Sequence, residues 1–170
     1  MEQVKTTSLK NIRTESIKFI ILLGLAILAP LLQNQFITGT IVNAILFISV
    51  FVSGISGAIA IAFFPSLISL GLEFLPGVMA PMVPFIIMGN IILISIFFWL
   101  KNKNYWLGTI TASILKFVFL ALTSQTIIGL FIQKPIAEKI AIMMSWPQLI
   151  TALLGGFLAY VFLKKILKNN

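Results

Sequence analysis

A chain of 170 residues that is 59% hydrophobic and 9% charged, with a formal net charge of +8, is composed for lipid rather than water, since soluble domains carry about 25% charged residues. It has neither Cys nor His, which excludes disulfides, thiolate nucleophiles, haem ligation through either residue and ordinary zinc sites. Crossing a hydrocarbon core takes about 20 helical residues, so the length predicts one membrane domain, residues 1–170, of about six crossings.

Residues 1–16 are polar and carry Lys5, Lys10 and Arg13. Lys18 and an apolar stretch from Phe19 to Leu32 follow. The layout is that of a signal peptide, but Ala26 and Ala29 are followed by Pro30 and form no small-x-small cleavage site, so residues 17–33 are predicted to be a retained first helix. Phe36 to Leu72 is uncharged over 37 residues, and as one helix would run about 55 Å, far more than a bilayer needs. Ser53, Gly54, Ser56 and Gly57 offer the break, giving helices at about 36–53 and 57–72. After a loop rich in Pro and Gly, further helices are predicted at about 82–100, 107–131 and 143–163, separated by Lys101–Asn104 and Gln133–Lys139.

This count also segregates the basic residues. With six crossings, Lys5, Lys10, Arg13, Lys18, Lys101, Lys103, Lys164, Lys165 and Lys168, nine of the twelve, share one side, which the positive-inside rule makes cytoplasmic. Merging the second and third helices would split them between the two sides. The fold expected is therefore all-α, a polytopic bundle of six transmembrane helices with both termini cytoplasmic, in the cell membrane. Trp99, Tyr105, Trp106 and Tyr160 fit an interfacial aromatic belt on that side. On this reading the positive charge records topology and no nucleic-acid partner is expected; the lipid bilayer is the surrounding partner.

Small residues recur at four-residue spacing on two segments: Gly54, Ala58, Ala62 and Ser66 on the third, and Thr151, Gly155 and Ala159 on the sixth. Such ridges let helix backbones approach closely. The first is a candidate interface with another subunit through Gly54, Ala58 and Ala62, or else an internal contact.

Polar groups inside the spans are few: Asn43, Asn90, Lys116, Gln125 and Gln148. Each costs free energy in hydrocarbon unless it faces a partner or a watery cavity. Asn90 lies about 12 Å and Gln148 about 8 Å from the outer ends of their helices, and Lys116 about 14 Å from the inner end of its own. Lys116 continues a stripe of Thr109, Ala112 and Thr123 with no carboxylate inside the membrane to pair with. It either braces the bundle or meets an anionic ligand. Asn34, Phe85 and Trp146 stand where an outer pocket would close, with Thr151 beside Gln148, so the candidate substrate-binding set is Asn34, Phe85, Asn90, Lys116, Trp146, Gln148 and Thr151. Aromatics at such positions also serve as plain interfacial anchors.

Little supports catalysis. Ser113 and Lys116 are three apart, but a Ser-Lys dyad needs stabilising donors that the sequence does not advertise. Four Glu and scattered amides are a poor ligand set for a transition metal, and no phosphate-cradling glycine loop is present. No enzyme activity, metal or cofactor is expected, and energy for active transport would come from another protein.

With these features in place, the chain resembles the substrate-binding S component of energy-coupling factor (ECF) transporters. The resemblance runs through LAPLLQNQFITGTIVNA (Leu28–Ala44), PFIIMGN (Pro84–Asn90), ILKF (Ile114–Phe117) and WPQLITALLGG (Trp146–Gly156). It implies capture of a vitamin or similar small molecule in an outward pocket formed by the fourth to sixth helices and the outer loops. A transmembrane coupling subunit and two cytoplasmic ATPases would be its partners. The Ala-x-x-x-Ala motif that many S components carry on the first helix is missing, because Ala26 and Ala29 are three apart, and the absence of His argues against nickel or cobalt as cargo. The competing expectation is a structural, assembly or holin-like membrane protein without a ligand.

Overall fold

The computed structural model describes the backbone of residues 2–75, 77–131 and 134–168, and their side chains except at 2–13, 78, 127–131, 134–137, 139 and 166–168. The side chains of Lys5, Lys10, Arg13, Pro135, Lys139 and Lys168, and Gln133 altogether, lie outside the described residues.

The described chain is all-α: α1 (Glu2–Leu28), α2 (Gln35–Val52), α3 (Gly54–Gly71), α4 (Val83–Leu100), α5 (Tyr105–Phe131), α6 (Lys134–Met143) and α7 (Trp146–Lys168), with 3₁₀ turns at Ala29–Leu32 and Gly77–Met82. Six helical stretches are long and apolar enough to cross a membrane. Their outward faces carry Ile20, Leu25, Leu122, Phe157 and Trp99, the last 69% exposed. Large side chains so displayed along every span suit lipid as solvent and would form a large adhesive surface in water.

The boundaries follow local chemistry. Pro30 starts a tight turn that Gln33 closes in the left-handed conformation (φ 51°), its N–H donating to the Pro30 carbonyl. Asn34 then caps α2, its side-chain oxygen accepting from the N–H groups of Phe36 and Ile37 at 3.1 and 3.2 Å. Between α2 and α3 the chain reverses through Ser53 and Gly54, whose φ of 66° suits a residue without Cβ. The break therefore falls at the first of the two glycines. Two differences from the sequence expectation stand out: α1 starts at Glu2, inside the presumed tail, and α6 occupies much of the expected loop at 133–139.

At the centre stands α2, buried on every side from Val42 to Val50, as expected of a helix apolar all round. It packs most extensively on α7, while α4 packs on α5 and α3 bridges α1, α2 and α4. Glycines make the α2–α7 contact close: a Cβ at Gly155 would stand 2.6 Å from Asn43 Cβ and 2.8 Å from the Ala44 nitrogen. Ala58 and Ala62 are fully buried against the rest of the chain, with Ala26 of α1 in the same core. Of the two readings open for Gly54, Ala58 and Ala62, the burial of the two alanines favours the internal contact over a subunit interface. The ridge of Thr151, Gly155 and Ala159 is buried as well, whereas Gly54 at the start of α3 is half-buried with open space beside it.

At the end of the bundle holding the α4–α5 turn, Phe47, Phe97, Tyr105, Trp106 and Tyr160 form a chain of ring contacts with centroids 4.7 to 5.5 Å apart. Tyr105 donates its hydroxyl to the Gly156 carbonyl at 2.7 Å, which ties α5 to α7. The opposite end is hollow.

Candidate functional site: a polar-floored cavity

Because consecutive spans alternate in direction, the α1–α2, α3–α4 and α6–α7 connections gather at one end of the bundle. A cavity of about 360 Å³ opens there, at the small end of the range for ligand pockets. Its mouth carries Gln33, Asn34, Gln35 and Gln148, and its walls include Ser66 and Ser69 together with Phe74, Leu75, Met79, Ile86, Met143 and Met144. Pro65 inside α3 contributes to the wall. Lacking an N–H, it leaves the helix ladder open at that point.

The floor is built from three helices. Lys116 of α5 donates from Nζ to Asn43 Oδ1 of α2 and to Asn90 Oδ1 of α4, each at 2.7 Å. All three residues are buried and all three reach the cavity. Asn43 and Asn90 lie eight and seven residues inside their helices, about 10–12 Å below the mouth. Asn43 is itself held from α7, its Nδ2 donating to Thr151 Oγ1 at 3.4 Å while Thr151 donates to the Gln148 carbonyl at 3.2 Å.

This geometry changes the view of Lys116. It has internal partners after all, two neutral amide oxygens, so the ammonium is solvated but its charge is not neutralised. The ion pair found among the described residues is an exposed one, Lys18 with Glu15 at 3.3 Å. An ammonium carries three hydrogens; two are spent on the asparagines, which leaves one for a further acceptor. Ser113 donates instead to the Thr109 carbonyl at 2.7 Å, so its hydroxyl is committed to its own helix and not to Lys116.

Of the seven candidate residues, Asn34, Asn90, Lys116 and Gln148 line the cavity, and Phe85, Trp146 and Thr151 do not. Asn34 spends its oxygen on the α2 cap, leaving its amide nitrogen for any other partner. Phe85 packs into a small apolar cluster with Met79, Met82, Ile140 and Met144, behind the wall rather than on it. Trp146 is half exposed and leans on Phe36, ring centroids 5.8 Å apart, in the manner of an interfacial anchor. Thr151 acts one step removed, by orienting Asn43.

Asn43 itself is the residue sequence reasoning left out of the set. Its depth below the outer end of α2 matches that of Asn90, and this arithmetic could have placed it there. A second missed feature is the clamp on α6: the Met143 carbonyl accepts from Gln35 Nε2 at 2.8 Å and from Gln148 Nε2 at 3.2 Å. Two mouth residues thereby fix the end of the short helix beside the cavity.

No family model, curated protein or solved structure matches this chain.

Proposed function

We propose that this chain is the substrate-binding membrane subunit of an importer, capturing a small molecule in the cavity floored by Asn43, Asn90 and Lys116. The single observation that carries the reading is a buried lysine amine held at mid-depth by two neutral acceptors at the base of an open cavity. A cation placed within a membrane span is costly and is functional by default. Here it is oriented from three helices toward a space large enough for a ligand.

The motifs resembling ECF S components support the same reading, since Leu28–Ala44, Pro84–Asn90, Ile114–Phe117 and Trp146–Gly156 contribute the first mouth and all three floor residues. On that basis the partners are a coupling subunit and two ATPases, and the membrane is the cytoplasmic one. The positive-inside distribution then turns the cavity outward. Single cysteines at Glu73 and Asn102, both exposed, are expected to label from opposite faces in intact cells, Glu73 from outside. The chain has no native Cys, so the labelling is unambiguous; labelling of both from one face would remove the topology.

A second reading has an observation of its own. Because Asn43 and Asn90 already satisfy two hydrogens of Lys116, the trio also works as a pin joining α2, α4 and α5. Mass spectrometry of solvent extracts from the purified protein separates the two. A binder yields a defined small molecule in near-stoichiometric amount, and adding that compound back raises the thermal midpoint by linkage. Extracts containing only lipid and detergent would favour the pin.

A further inference from the structure

Resting on the binding role proposed above, we infer that the ligand is a small monocarboxylate with an apolar body, one carboxylate oxygen seated on Lys116. Among the described residues lining the cavity, Lys116 is the sole charged side chain. One positive charge neutralises one negative charge; a phosphate monoester or a dicarboxylate would carry a surplus charge into a cavity that offers it no second cation among the described residues, and an unpaired charge away from bulk water is disfavoured.

Donor geometry points the same way. Both asparagine bonds are made, so a single ammonium hydrogen is left for the ligand. Asn90, which lines the cavity, keeps its Nδ2 donor beside the bond its oxygen makes to Lys116, and two donors suit the two oxygens of a carboxylate. The planar fork that arginine offers to oxyanions is missing, since the chain's one arginine is Arg13, before the first apolar segment.

The walls describe the remainder of the molecule. Phe74, Leu75, Met79, Ile86, Met143 and Met144 surround the space above the floor. They offer dispersion contacts, and methionine adapts to an irregular body. The amides at the mouth would meet any polar group at the far end.

The test uses the full chain in nanodiscs and three probes sharing a body: 3-phenylpropanoate, 3-phenylpropanamide and 2-phenylethyl phosphate. Thermal midpoints are read against probe concentration for wild type, Lys116→Met and Lys116→Gln, the last keeping an amide donor should the Met variant fail to fold. The carboxylate is expected to stabilise wild type at concentrations at least about tenfold below the other two and to lose that advantage in the variants. Equal or better stabilisation by the amide or the phosphate ester, or a carboxylate advantage unchanged in a folded variant, overturns the inference while leaving the binding role standing. Should none of the three shift wild type, the extracted compound decides. A monocarboxylate supports the inference, a neutral, cationic or polyanionic compound overturns it, and an empty extract overturns both it and the binding role.

Discussion

Lys116→Met is expected to weaken binding of an acidic ligand by about tenfold or more, because a charge-assisted hydrogen bond contributes ~1.5–3 kcal/mol. Its effect on the empty protein is a balance of two terms. Removing the ammonium relieves the cost of a charge at mid-membrane, ~2.5–3.5 kcal/mol on insertion scales. It also strands the oxygens of Asn43 and Asn90, at ~1–3 kcal/mol for each buried acceptor left unmade. The two terms oppose each other, ~2.5–3.5 kcal/mol relieved against ~2–6 kcal/mol for the two acceptors together, so the variant should fold with a thermal midpoint close to or below that of wild type. Asn90→Leu should behave differently, since it leaves the ammonium with one acceptor and strands a charge rather than an amide. Detergent or nanodisc melts are therefore expected to rank Asn90→Leu below Lys116→Met. The opposite ranking would mean that Lys116 is not held by these acceptors.

The largest stability loss is expected at Gly155. A Cβ there would fall 2.6 Å from Asn43 Cβ, 2.8 Å from the Ala44 nitrogen and 2.9 Å from the Thr40 oxygen. Two of the three are backbone atoms and cannot turn aside, so α2 and α7 must move apart. Gly155→Ala is expected to cost ~1–3 kcal/mol, as overpacking does, and Gly155→Leu to prevent assembly of the bundle. Because Asn43 is among the displaced atoms, Gly155→Ala should also weaken ligand binding. Gly24 of α1 provides the control: nothing lies within 4 Å of the added Cβ, so Gly24→Ala should be neutral or slightly stabilising through helix propensity. Equal melts for the two alanine variants would contradict the close α2–α7 contact.

Much of the architecture was legible because lipid imposes it. Charge-free stretches of about twenty residues, interrupted by Gly, Pro and Lys, mark spans with little help from tertiary contacts. The turn at Ser53 and Gly54 could be found because a longer apolar helix would have outrun the bilayer. Facing was much harder to read. Helices such as α2 and α4 are apolar all round, so periodicity does not separate a lipid face from a core face, and the Ala58–Ala62 ridge could not be assigned inward or outward. Nor could the floor be paired in advance. Lys116 meets Asn43 and Asn90 across 73 and 26 residues of sequence, a juxtaposition that only the helix arrangement creates. Phe85 and Trp146 were drawn into the site by their position near the boundary, yet one packs behind the wall and the other leans on Phe36. Meanwhile α6 escaped notice because it is a ten-residue helix, too short to span, whose first six residues, KPIAEK, carry a Pro and three charges.

The most direct measurement is an experimental structure of the full chain bound to the compound recovered from its own extracts. Density is expected between the mouth at Gln35 and Gln148 and the floor, with an acidic oxygen about 2.7–2.9 Å from Lys116 Nζ, the range of a charge-assisted bond. Density for the compound elsewhere on the bundle, or a neutral group facing Lys116, would contradict that expectation.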